Sequence, residues 1–159
     1  MTRILMVCLG NICRSPLAEG ILRKRIDEAG LTNVEVDSAG TSGWHEGEHP
    51  DHRSVHNARR HDVDISTLVS RKFSVADFER FDRIYVMDSS NYRDVTALAK
   101  NEIHLAKVDF LLNCKWPGKN MAVPDPYYSG AEGFETVFHL VNEACLALVG
   151  SLQKENAGD

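Results

Sequence analysis

The chain has 159 residues, of which 43% are hydrophobic and 26% charged, and a formal net charge of −5 at pH 7. This length and balance predict a single globular domain over 1–159 with enough apolar material for a proper core. The acidic balance argues against a nucleic-acid binder working through a broad basic field. No apolar run approaches the roughly 18 residues that a membrane-spanning helix requires, so no membrane partner is expected.

Met1-Thr2-Arg3 runs straight into Ile4-Leu5-Met6-Val7 without the pattern of a secretory leader. A cytoplasmic location is therefore expected. The four cysteines, at 8, 13, 114 and 145, have neither zinc-ligand spacing nor the density of a disulfide framework. Reduced thiols, no metal and no cofactor are the expectation.

The run 4–7 reads as a buried parallel strand ending in a turn, Cys8-Leu9-Gly10-Asn11-Ile12-Cys13-Arg14-Ser15. Ser15-Pro16-Leu17-Ala18-Glu19 reads as a helix start, with Ser15 as N-cap, proline at the first helical position and a glutamate in the first turn. A turn between strand and helix N-terminus presents backbone N–H groups and roughly half a positive charge. Such a nest suits a phosphate and also stabilises a thiolate. Cys8 is accordingly the candidate nucleophile, and Arg14 supplies a planar fork for two phosphate oxygens.

Apolar positions 17, 18, 21, 22, 26 and 29 extend a helix over 16–29, terminated by Gly30. Residues 34–39 alternate as a second strand, and strand–helix–strand order implies a right-handed parallel crossover. The loop 40–50 contains His45-Glu46-Gly47-Glu48-His49, a literal H-E-x-x-H string. That pattern binds zinc only on a helix, and Gly40, Gly43, Gly47 and Pro50 predict a solvated loop instead. Trp44, an aromatic among glycines and charges, is a candidate wall of a ligand site.

Short helices are expected over 53–60 and 75–80, a third strand over 81–88, a helix from 89 to about 100, and a fourth strand over 104–112. Residues 115–128 form a long loop with three prolines, where function is more expected than random insertion. A final helix is expected over 131–152. The class is α/β: a single three-layer domain with a doubly wound, four-stranded parallel sheet and helices on both faces.

Residues 8–15 resemble the signature loop of the low-molecular-weight protein tyrosine phosphatases, and Asp125-Pro126-Tyr127-Tyr128 resembles that family's second motif. The similarity extends over about 3–148. The resemblance implies hydrolysis of phosphotyrosine monoesters through a phosphocysteine on Cys8. Arg14 and the amides of Leu9, Gly10, Asn11, Ile12 and Cys13 would hold the phosphate, with Asp125 as general acid and then general base. It implies an aromatic entrance from Trp44, Tyr127 and Tyr128, and loop support from Asn11, Ser15 and Ser38, with Ser15 also donating to the Cys8 sulfur. Cys13 would be a redox partner of Cys8. The histidine that the family usually offers to Asn11 after a serine such as Ser66 is missing from Ser66-Thr67-Leu68, which puts the hold on Asn11 in question.

The implied partners are phosphotyrosine proteins, a tyrosine kinase among them, and phosphate or other oxyanion inhibitors; a monomer or weak homodimer is expected. Three other readings stand beside this one. Arsenate reduction needs relay cysteines, and only Cys114 and Cys145 remain. A protein-arginine phosphatase is expected to carry threonine where this chain has Ile12. A non-catalytic phosphotyrosine-binding module would need neither Cys8 nor Asp125.

Overall fold

The computed structural model describes residues 1–157. Four parallel strands, β1 (Thr2–Cys8), β2 (Val34–Gly40), β3 (Arg83–Val86) and β4 (Val108–Phe110), form one sheet in the order β2-β1-β3-β4. The register runs from Thr2 opposite Val34 to Cys8 opposite Gly40, and from Ile4 opposite Arg83 to Val7 opposite Val86. Among the described residues six helices surround the sheet: α1 (Arg14–Glu28), α2 (His52–Arg60), α3 (Asp77–Arg80), α4 (Ser89–Thr96), α5 (Glu102–Ala106) and α6 (Ala131–Ala157).

The strand period of two divides β1 between two cores. Ile4, Met6 and Cys8 join a cluster with Leu17, Ile21 and Leu22 of α1 and Val137, Phe138 and Val141 of α6. Leu5 and Val7 pack on the other face with Phe73, Phe78, Phe81 and Val95. Both faces of β1 are thus buried, which is why its sequence is continuously apolar. The strand order reverses between β1 and β3, and the crevice beyond the C-terminal ends of these strands is where open α/β sheets bind ligands. Residues 8–15 lie there.

Several elements differ from their sequence reading. The helix α1 begins at Arg14, with Cys13 at the cap position and no side-chain cap, so Ser15 is not the N-cap and Glu19 is not in the first turn. The strand read over 104–112 shrinks to Val108–Phe110, because the Asn101 side chain accepts from the His104 N–H at 2.9 Å and starts α5 there. A 3₁₀ turn, Leu111–Cys114, follows β4. The third strand is confined to Arg83–Val86, and α6 continues past 152 to Ala157. No described helix is long and apolar enough to cross a membrane.

One packing detail in α1 reverses an ordinary propensity argument. A Cβ on Gly20 would lie 2.5 Å from Cγ2 of the fully buried Ile65 and 3.1 Å from Cγ1 of Val63. Glycine to alanine inside a helix normally stabilises by about 1 kcal/mol, whereas overpacking against a stiff β-branched neighbour costs about 1–3 kcal/mol. We expect Gly20→Ala to lower unfolding free energy by about 1 kcal/mol in urea titration; a stabilised variant would contradict this packing.

Candidate active site

The turn 8–15 is shaped from outside by bonds to its carbonyls. The Cys8 and Leu9 carbonyls accept from Thr41 N–H and Ser42 N–H at 2.9 Å each, and the Ile12 carbonyl from Asp51 N–H at 2.8 Å. Ser70 Oγ donates to the Gly10 carbonyl at 3.1 Å and Ser54 Oγ to the Cys13 carbonyl at 3.2 Å. In a trans peptide the N–H points opposite its C=O. Carbonyls drawn outward therefore leave the amides of residues 9, 10, 11, 13 and 14 directed inward. The Asn11 amide lies 3.3 Å from Cys8 Sγ, in agreement. The uncapped start of α1 adds its own unpaired amides to this nest.

Gly40 permits the approach of β2 to this loop. A Cβ there would sit 2.8 Å from the Leu9 carbonyl oxygen and 3.1 Å from the Gly10 carbonyl carbon. Both are backbone atoms that cannot yield cheaply.

A directed hydrogen-bond chain ends at the sulfur. Asn11 sits in the left-handed region at φ 57°, its Oδ1 accepting from Arg71 N–H at 3.1 Å. That contact fixes the amide, so Nδ2 donates to Ser15 Oγ at 2.8 Å and to Ser38 Oγ at 2.9 Å. Ser38 in turn donates to Glu19 Oε1 at 2.7 Å. Ser15 Oγ lies 3.0 Å from Cys8 Sγ and 3.4 Å from the Ala39 carbonyl, and toward a Cys8 thiolate its hydroxyl is the donor. This explains why Ser15 caps no helix: its hydroxyl is turned toward the sulfur.

Asn11 is therefore not short of a partner. The Arg71 backbone satisfies its oxygen, and Leu68 packs against the core while its carbonyl pairs with His49 Nδ1 at 2.9 Å. Asn11→Ala removes three hydrogen bonds, two of them buried and one part-buried, and places alanine at positive φ. At about 1 kcal/mol for each bond, the expected loss of unfolding free energy is about 3 kcal/mol. A denaturation midpoint equal to the native one would refute this support.

Arg14 is buried and anchored at one end. Its Nη1 donates to Asp88 Oδ2 at 2.7 Å and to the Val123 carbonyl at 3.0 Å, leaving Nε and Nη2 for two oxygens of an anion. Burial pulls the Arg14 pKa down, but Cys8, Asp88 and Asp125 more than offset it and the net shift is upward. Asp88 does two jobs, because its Oδ1 also caps α4 through Asn91 N–H at 2.8 Å.

Asp125 reaches the same place from a loop tied to the residue just after β3 by Val123 N–H to the Met87 carbonyl, 2.7 Å. Its Oδ1 accepts from Tyr127 N–H at 3.0 Å, and its Oδ2 lies 3.8 Å from Arg14 Nη2. A cavity of about 220 Å³ opens over these groups, lined by Cys8, Leu9, Gly10, Ile12, Cys13, Arg14, Trp44, Asp125, Tyr127 and Tyr128. Asn11 and Ser15 stand behind it as support. Trp44 is 81% exposed and Tyr128 97%, which makes them rim residues. The Tyr127 and Tyr128 rings meet edge to face at 5.0 Å.

Cys13 is buried, and desolvation followed by the Asp51 charge pushes its thiol upward, so it stays protonated. Of the other two thiols, Cys145 is fully buried and Cys114 is pushed up to about 11 by burial; neither lines the cavity. The H-E-x-x-H string forms turns, with His45 Nδ1 on Glu48 at 2.6 Å and His49 on Leu68.

Sequence reasoning missed Glu19, Asp88, Arg71 and His45. Glu19 carried a usable signal, being a carboxylate four residues after Ser15 amid the apolar stripe of α1; burial raises its pKa against the lowering effect of Ser38. His45 also lines the cavity and packs over Gly10, where a Cβ would lie 3.1 Å from its Cδ2.

Residues 3–157 match the family described as low molecular weight phosphotyrosine protein phosphatase. The chain belongs to this family. Membership makes it a protein-tyrosine phosphatase, a phosphoric monoester hydrolase. It is 40% identical over 148 residues to the low molecular weight phosphotyrosine protein phosphatase of Homo sapiens, covering 92% of each chain. The crystal structure of the protein tyrosine phosphatase from Entamoeba histolytica, with Hepes in its active site, superposes with a TM-score of 0.91 at 34% identity, over 98% of this chain and 99% of that one. A drosophila arginine phosphatase superposes with a TM-score of 0.87 at 30% identity, over 96% and 98%. The doubly wound parallel fold expected from the sequence is that of these relatives.

Proposed function

We propose that this family member hydrolyses phosphotyrosine monoesters through a phosphocysteine on Cys8. The supporting observation is convergence: Cys8 Sγ, an inward ring of amides, the free edge of Arg14 and the Asp125 carboxylate all border one cavity. In the first step sulfur attacks phosphorus while Arg14 and the amides hold the non-bridging oxygens. The phosphorus–oxygen bond to the leaving group breaks, and Asp125 gives that oxygen its proton. In the second step Asp125 takes a proton from water, whose oxygen attacks phosphorus. The Cys8 thiolate departs toward the Ser15 hydroxyl.

Aromatic rim residues favour an aryl phosphate, and Ile12 places an apolar side chain in the cavity wall. Reduced thiols, none of them paired among the described residues, suit the reducing cytoplasm that a thiolate nucleophile requires. Cys13, within the reactive loop, remains our choice for a redox partner. Arsenate reduction is disfavoured because Cys114 and Cys145 lie outside the cavity.

Parallel assays with phosphotyrosine, phosphoserine and phosphoarginine peptides, and with arsenate plus thiol, test the reading. Phosphate release from phosphotyrosine is expected to dominate. Faster turnover of phosphoarginine, or stoichiometric arsenite formation, would overturn it.

A further inference from the structure

Beside the catalytic cavity a second groove of about 320 Å³ runs along α2, lined by His52, Arg53, His56 and Arg60 with Phe134 of α6. Positions 52, 56 and 60 share one helix face, and all four basic side chains are exposed. In a chain of net charge −5, this face carries the permanent charges of Arg53 and Arg60 and the imidazole hydrogen-bonding groups of His52 and His56.

Of the neighbouring carboxylates, one neutralises Arg53 and none pairs with Arg60 among the described residues. Asp51 is engaged by Arg53 through two hydrogen bonds of 3.0 Å. Glu135 of α6 accepts from Asn57 at 2.9 Å and pairs with His61 at 2.6 Å. The other acids on α6 are Glu132 at its start, Glu143, which pairs with Lys115, and Glu155, which pairs with Arg83.

Arg53 stands between the groove and the catalytic cavity. The Arg53 guanidinium lies 5.3 Å from the centroid of the Tyr127 ring and 4.9 Å from that of Phe134. Tyr127 also lines the phosphate cavity. A chain whose phosphotyrosine enters that cavity and which continues over Tyr127 would meet the α2 face next.

Building on the phosphatase reading, we propose that the α2 groove binds acidic side chains flanking phosphotyrosine in a substrate polypeptide. The permanently charged Arg60 supplies the main attraction. His52 and His56 supply further donors, and the apolar floor at Phe134 accommodates the side-chain stems. The expected contribution is selectivity and steering, because exposed charge pairs are individually weak and screened by salt.

The test compares kcat/KM for three phosphotyrosine peptides, with glutamates before the phosphotyrosine, after it, or absent, in the native chain and in a His56→Gln/Arg60→Gln double variant. At low salt the native chain is expected to favour one acidic peptide about fivefold. The preference should shrink in about 0.5 M salt and fall to near unity in the variant. Turnover of p-nitrophenyl phosphate, which has no flanking residues, should be the same in both proteins. Equal kcat/KM for the three peptides in the native chain would overturn the groove while leaving the phosphatase intact. So would a preference that survives in the variant, or a parallel loss of p-nitrophenyl phosphate turnover. Absence of p-nitrophenyl phosphate turnover in the native chain would overturn the catalytic reading and the groove with it.

Discussion

Replacing Cys8 by serine is expected to reduce kcat for p-nitrophenyl phosphate by about 10⁴-fold or more, since loss of a nucleophile removes the covalent route. The fold should persist. Serine fits the space of cysteine, and the carbonyls that shape the loop are held by Thr41, Ser42, Asp51, Ser54 and Ser70, not by the sulfur. Phosphate should still bind, because the amides and the free edge of Arg14 are unchanged. The variant therefore separates binding from chemistry. Calorimetry with inorganic phosphate together with the rate assay checks both halves. Turnover within about tenfold of the native chain would remove Cys8 from the mechanism.

Asp125→Ala is expected to lower kcat by about 10²–10³-fold, the usual range for loss of a positioned acid or base. The side chain also accepts from Tyr127 N–H, so a simple loss of rate could reflect a slackened loop. The leaving group discriminates between the two explanations. Departure of p-nitrophenolate needs little protonation, whereas unsubstituted phenolate needs much. The deficit of the variant in kcat/KM, which reports the step that expels the leaving group, should therefore be larger for phenyl phosphate than for p-nitrophenyl phosphate. Equal deficits for both substrates would assign Asp125 to loop positioning alone.

The sequence carried the sheet because β1 is continuously apolar, β2 alternates, and a helix of ordinary length separates them. It carried the reactive loop because Cys8, Gly10, Asn11, Arg14 and Ser15 have residue types that the turn and an anion both require. It carried β4 poorly. Asn101 claims that segment with a local cap, and His104 stacks on Phe78 with ring centroids 4.5 Å apart, a contact between distant parts of the chain that also favours α5.

Ser15 shows the same limit from another direction. Serine before proline is a good cap by local rules, yet Asn11 and Cys8 claim its hydroxyl first. Asp88 and Arg71 were hidden for a different reason. Each acts on the loop through a contact made across the sheet, with Arg14 and with Asn11, and no local spacing announces such a partner. The doubt over Leu68 had this source too, because a backbone N–H can replace a side chain without leaving a trace in the residue types.

The central claim is that phosphate passes through sulfur at residue 8. Acid-quenching the native chain during turnover of an aryl phosphate, then mapping peptides by mass spectrometry, tests it most directly. The account predicts one phosphoryl group on the peptide containing Cys8, absent in Cys8→Ser and accumulating further in Asp125→Ala with p-nitrophenyl phosphate, where water activation is slowed. A phosphoryl group on another residue, or turnover with no covalent adduct at any quench time, would contradict it.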